Sequence, residues 1–132
     1  MKGFVLSVIA ALTFTACGQQ TGNSSTAQGG DISVEKAAEK MQEPNVIILD
    51  VRTPREFASG HIGGATNINI SSADFNQRLK EVPKDTAVVV YCRSGGRSAK
   101  AMRIMQDQGF TEVYNMQGGI MAWAQKGKEV KK

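Results

Sequence analysis

Short apolar runs alternate along the chain with stretches whose apolar residues recur every three or four positions. Val46-Ile47-Ile48-Leu49 and Ala87-Val88-Val89-Val90-Tyr91 are continuous and rich in β-branched residues. They predict strands buried on both faces. Ala65 to Ile70 and Glu112 to Asn115 predict two further strands. Between them lie helical patterns. Ser33 caps a segment from Val34 to about Gln42, with Val34, Ala37, Ala38 and Met41 on one face, and Pro44-Asn45 breaks it. Thr53-Pro54-Arg55-Glu56 has the form of a capping box with proline at the first helical position, and that helix stops at Gly60. Gly63-Gly64 marks a turn. Ser71 or Ser72 caps a helix carrying Phe75 and Leu79, ended by Pro83. Ser98 to Gln108 predicts a helix with Ala99, Met102 and Met105 toward the core and Gly109 as its left-handed cap. Gly118-Gly119 opens a last helix bearing Met121 and Trp123. Strands alternating with helices predict an α/β fold, with a mainly parallel central sheet flanked by helices.

The first thirty residues break this pattern. Residues 1–16 combine Lys2 with an apolar stretch from Phe4 to Phe14, too short to cross a bilayer, and predict a secretory signal peptide. Thr15-Ala16-Cys17-Gly18 follows. Small residues before a cysteine at this point resemble the lipobox of bacterial lipoproteins, with Phe14 where that motif usually has leucine. The resemblance implies lipidation of Cys17 and anchoring to the cell-envelope membrane, on its periplasmic or surface side. Residues 18–30 carry no charge and no large apolar side chain. Residues 17–30 are therefore expected to be a lipidated cysteine and a flexible tether. The folded domain is expected over 31–127, with 128–132 as a solvated basic tail.

Composition narrows the chemistry. The 132 residues contain two cysteines, Cys17 and Cys92, and one histidine, His61. A tetrahedral zinc site made of Cys and His alone would need four ligands, and a multi-disulfide framework is impossible. No metal and no cofactor is expected. The net charge of +4 suits an anionic substrate or membrane surface. The eight aromatic residues are scattered, with no basic stripe interleaved among them, so nucleic-acid binding is not expected.

The informative segment is Tyr91-Cys92-Arg93-Ser94-Gly95-Gly96-Arg97-Ser98, between a buried strand and a helix. Ligands bind at the carboxyl ends of strands in such sheets. A glycine-containing loop entering a helix turns its amides inward as an anion nest, and the helix dipole adds positive charge. With Arg93 and Arg97 alongside, the Cys92 thiol is expected to ionise well below the ~8.5 of a free cysteine and to attack without a general base.

These residues, with Leu49-Asp50-Val51-Arg52-Thr53-Pro54-Arg55-Glu56-Phe57, Gly60-His61-Ile62, Ala65-Thr66-Asn67, Gly109-Phe110, Val113-Tyr114-Asn115-Met116, Gly118-Gly119 and Trp123, resemble a single-domain rhodanese, a sulfurtransferase. The resemblance spans nearly the whole folded region. It implies that Cys92 takes a sulfane sulfur from a donor such as thiosulfate or polysulfide and passes it to an acceptor such as cyanide or a thiol. It also implies that Arg93, Ser94, Gly95, Gly96 and Arg97 cradle that sulfur. Asp50, Arg52 and Ser98 would brace the site, and His61 would be a buried structural residue. Three alternatives stand beside this reading. One is a cysteine phosphatase or arsenate reductase, whose loop is Cys-x5-Arg where Cys92 to Arg97 is Cys-x4-Arg. The others are a sulfur carrier with little turnover and a non-catalytic binding module.

Overall fold

In the computed structural model of the chain, Gly3 and residues 27–132 are described. The expected signal peptide, Cys17 and most of the expected tether lie outside the described residues. Five strands form one sheet in the order β1-β5-β4-β2-β3, and every pairing is parallel. The strands are β1 (Gln28–Ile32), β2 (Ile47–Asp50), β3 (Thr66–Asn67), β4 (Val88–Tyr91) and β5 (Glu112–Met116). The helices are α1 (Val34–Met41), α2 (Pro54–Ser59), α3 (Phe75–Leu79), α4 (Gly96–Asp107) and α5 (Gly119–Gln125).

The central strand β4 is buried at every position. Its side chains alternate in direction, so Val88 and Val90 join the core formed with α3 and α4, while Val89 and Tyr91 join the core formed with α1 and α5. Cys92, the next residue, continues the alternation and lies on the α4 side.

Local chemistry sets most of the boundaries. The Ser33 hydroxyl accepts the Lys36 N–H at 3.2 Å and starts α1. The Thr53–Glu56 capping box has both arms in place and starts α2. Three elements depart from expectation. The strand foreseen from Ala65 to Ile70 is reduced to Thr66–Asn67; beyond it the Ile68 and Ile70 N–H groups still reach the Asp50 and Val51 carbonyls, and the Asn67 side chain adds donors to the carbonyls of Asp50 and Arg52. Asp74, not a serine, precedes α3, and its carboxylate accepts from the Ser72 hydroxyl instead of capping the helix. The fourth helix begins at Gly96, two residues early, and buries Ala101 where Ala99 was expected.

The chain also joins the sheet earlier than the domain boundary at 31 implied. Gln28–Ile32 pairs with Glu112–Met116 as an edge strand. Gly29 makes this approach possible, since a Cβ there would lie 1.7 Å from the Val113 carbonyl oxygen. Finally, the basic tail is tied down. Lys131 exchanges both backbone hydrogen bonds with His61 at 2.8 Å, and the Trp123 indole N–H donates to the Glu129 carbonyl at 2.9 Å.

Candidate active site

Cys92 follows β4 directly and is 1% exposed. Its sulfur faces two donors. The Gly95 N–H is 3.1 Å away, and the Ser98 hydroxyl is 3.3 Å away. That hydroxyl also lies 3.2 Å from the Gly95 carbonyl, and it has one proton to give. A thiolate is the stronger acceptor, so ionisation of Cys92 draws that proton to sulfur. Burial pushes the thiol pKa up. The Ser98 hydroxyl and the N–H groups of Ser98, Gly95 and Ser94 outweigh it, and the net shift is downward.

Backbone geometry holds the loop from beneath. Gly95 caps α4 in the left-handed region with φ +109°, and its N–H points back to the sulfur. On the opposite side, the first turn of α5 donates to the loop: Ile120 N–H to the Cys92 carbonyl at 2.9 Å and Met121 N–H to the Arg93 carbonyl at 3.1 Å. Gly119 allows this contact. At φ +59° it would carry a Cβ 2.4 Å from the Arg93 carbonyl group and 2.5 Å from the Cys92 carbonyl oxygen.

The two arginines of the loop have different fates. Arg93 is exposed, as are Ser94 and Gly96. Arg97 turns away to Glu56, with a guanidinium nitrogen 2.9 Å from each carboxylate oxygen. Glu56 accepts in addition from the Thr53 N–H and hydroxyl, each at 3.0 Å. The Arg97 hydrogen bonds lead in pulling the Glu56 carboxyl down to about 2 against the cost of partial burial, with the Thr53 N–H and hydroxyl adding to the pull. The expectation that two free cations flank the thiol is thus corrected. Hydrogen-bond donors set the ionisation of Cys92, and one of the two charges is already neutralised. Glu56 was visible in the sequence only as a capping residue, because its second partner lies 41 positions away.

Asp50 and Arg52 form a buried pair, with Arg52 Nε 3.0 Å and 3.1 Å from the two carboxylate oxygens. Arg52 also donates to the Gly60 carbonyl at 2.6 Å, and its guanidinium lies 5.7 Å from the centre of the Tyr91 ring. The Tyr91 hydroxyl in turn accepts the Ile62 N–H at 3.0 Å. The pair therefore ties together the ends of β2 and β4 and the Gly60-His61-Ile62 turn, without touching the Cys92 sulfur. Removing one member of such a buried pair costs ~3–5 kcal/mol. Ser98 is closer to the chemistry than a brace, since its hydroxyl meets the sulfur directly. His61 is half-buried rather than buried. It stacks on Phe57 with ring centroids 3.8 Å apart, and its Nδ1 lies 3.0 Å from the Phe57 carbonyl. No group of His, Cys, Asp and Glu among the described residues is arranged to hold a metal ion.

Comparison with known proteins converges on the same region. The family model of the rhodanese-like domain matches residues 33–126. A sulfurtransferase of Allochromatium vinosum is 39% identical over 98 residues, covering 74% of this chain and 90% of that protein. A thiosulfate sulfurtransferase of Pseudomonas putida is 36% identical over 93 residues, covering 70% and 82%. The crystal structure of a rhodanese-related protein from Thermoplasma volcanium superimposes with a TM-score of 0.68 at 31% identity, over 76% of this chain and 96% of that one.

Proposed function

Since the chain belongs to the rhodanese-like domain family, we propose that it is a sulfurtransferase that carries sulfur as a persulfide on Cys92. The observation behind this reading is the pair of donors on the Cys92 sulfur, Gly95 N–H and Ser98 hydroxyl, inside a loop of six residues ending at Arg97. The thiolate attacks the sulfane sulfur of thiosulfate, the S–S bond breaks, and its electron pair leaves with sulfite. An acceptor thiolate or cyanide then attacks the outer sulfur of the persulfide. That S–S bond breaks in turn and returns the electron pair to Cys92. No net redox change and no cofactor is involved. The loop amides from Arg93 to Arg97 hold the charge on the outer sulfur, as fixed donors do where charge develops. Arg93 is the cation available to the incoming anion, and Asp50 and Arg52 keep the strand ends in place.

The site argues against a phosphatase on two grounds. The loop is one residue shorter than Cys-x5-Arg, and phosphoryl oxygens need a wider ring of amides. The carboxyl nearest the loop, Glu56, has its pKa pulled to about 2 and is bound to Arg97, so at neutral pH it has no proton for a leaving group. A sulfur carrier would share the persulfide and differ only in the acceptor. Turnover of thiosulfate and cyanide, set against hydrolysis of p-nitrophenyl phosphate, separates these activities. Sulfur transfer without phosphate release supports the reading, and phosphate release alone defeats it.

The N-terminal motif supports export, with Cys17 lipidated and the domain held at the cell-envelope membrane. Wild type in the membrane fraction and Cys17→Ala in the soluble fraction is the expected result. A wholly soluble wild type with an unmodified N-terminus contradicts it.

A further inference from the structure

Around the mouth of the Cys92 loop, the surface carries more charge than the transfer reaction uses. Arg93 is exposed in the loop, and Lys100 and Arg103 are exposed along α4. Gly96, Lys100 and Arg103 are spaced four and three apart, so they share one helix face. At 1.5 Å per residue, Arg103 stands about 10 Å beyond Gly96. None of these three cations has a carboxylate within 4.0 Å among the described residues. In α2, the loop, α4 and α5 the acidic residues are Glu56, committed to Arg97, and Asp107, which shares the Lys100–Arg103 face one turn beyond Arg103, at the end away from the loop. A thiosulfate-sized anion seated at the loop does not reach Lys100 or Arg103. Across the loop sits Met121, held beside Arg93 by its N–H and 43% exposed, the large hydrophobic residue left open to solvent among the described residues.

We propose that Arg93, Lys100, Arg103 and Met121 form a docking surface for an acidic polypeptide that presents a cysteine thiol to the Cys92 persulfide. The proposal rests on the sulfurtransferase reading and names the acceptor class. The acceptor thiolate attacks the outer sulfur, the persulfide S–S bond breaks, and the products are a Cys92 thiolate and a persulfide on the polypeptide. The stripe extends too far for a small ion but matches a peptide lying along α4, with acidic residues over the cations and an apolar residue on Met121. Complementary charge of this kind speeds encounter and is screened by salt.

The test loads the full chain with thiosulfate, verifies one added sulfur on Cys92 by mass, and removes excess donor. Discharge is then timed with cysteine peptides flanked by glutamate, serine or lysine, and with dithiothreitol. The glutamate peptide is expected to discharge Cys92 about tenfold faster than the lysine peptide at low salt, with the gap closing near about 0.5 M NaCl. The double variant Lys100→Glu, Arg103→Glu is expected to remove that preference and leave the dithiothreitol rate unchanged. Equal rates for the three peptides, or a preference that survives the double variant, would overturn the proposal. Binding of phosphatidylglycerol vesicles that needs Lys100 and Arg103, without any peptide preference, would also overturn it and assign the stripe to a lipid surface. If no sulfur loads on Cys92, the sulfurtransferase reading fails and takes the proposal with it.

Discussion

Glu56 and Arg97 face each other across the entrance of the site, two carboxylate oxygens against two guanidinium nitrogens, each 2.9 Å apart. The pair joins the first turn of α2 to the first turn of α4, so the loop that holds Cys92 is anchored at its far end by a residue from a different part of the chain. It also removes Arg97 from the charges that meet a substrate.

Replacing Glu56 by Gln is expected to lower sulfur transfer by loosening the end of the loop, with a larger effect on kcat than on KM. Its effect on stability is expected to be about 1 kcal/mol, because the pair is roughly one-third exposed and solvent screens it. The pH dependence has a definite sign. The folded pKa of Glu56 is depressed to about 2, so its contribution is full above the ordinary carboxylate range and is lost as pH falls toward 2. Wild type and Glu56→Gln should therefore converge in urea midpoint between about pH 4.5 and 2. Midpoints that stay equally far apart throughout would contradict this.

Ser98→Ala removes the hydroxyl that meets the Cys92 sulfur and leaves burial unchanged. A hydrogen bond to a charged group contributes about 1.5–3 kcal/mol, so alkylation of Cys92 by iodoacetamide below neutral pH should slow about tenfold or more. Circular dichroism should be unaltered. An unchanged pH profile of alkylation would show that the amides alone set the thiolate.

Gly119→Ala and Gly127→Ala separate close contact from backbone strain. Both glycines have positive φ, but a Cβ at Gly127 meets nothing within 4 Å, whereas one at Gly119 strikes the backbone of Cys92 and Arg93. Gly127→Ala should cost about 1 kcal/mol, and Gly119→Ala about 3 kcal/mol or more, with lost activity. Equal costs would mean that α5 does not support the loop.

Much of this was legible from the sequence, and the exceptions have physical causes. The caps at Ser33 and Thr53, the buried strand Val88–Tyr91 and the glycine after α4 are local signals, and local chemistry realises them. The strand Gln28–Ile32 was hidden because it is held by backbone pairing at a sheet edge and has little apolar side-chain content to announce it. The tail was hidden because Lys131 is fixed through its backbone, which its side chain does not reveal. In the site, the cysteine and its loop could be read from spacing, and the placing of Ser98 against the sulfur follows from α4 starting at Gly96. The Glu56–Arg97 contact depends on tertiary packing between two helix starts, which no local pattern encodes.

The proposed function stands or falls on whether Cys92 carries sulfur. Incubation of the purified chain with thiosulfate, followed by peptide mass analysis without reductant, tests it most directly, with Cys92→Ser as the control. The expected result is one added sulfur atom on the peptide containing Cys92, release of sulfite, and loss of both in a folded Cys92→Ser protein. An unmodified Cys92 peptide, or sulfur transfer that persists in Cys92→Ser, would contradict it.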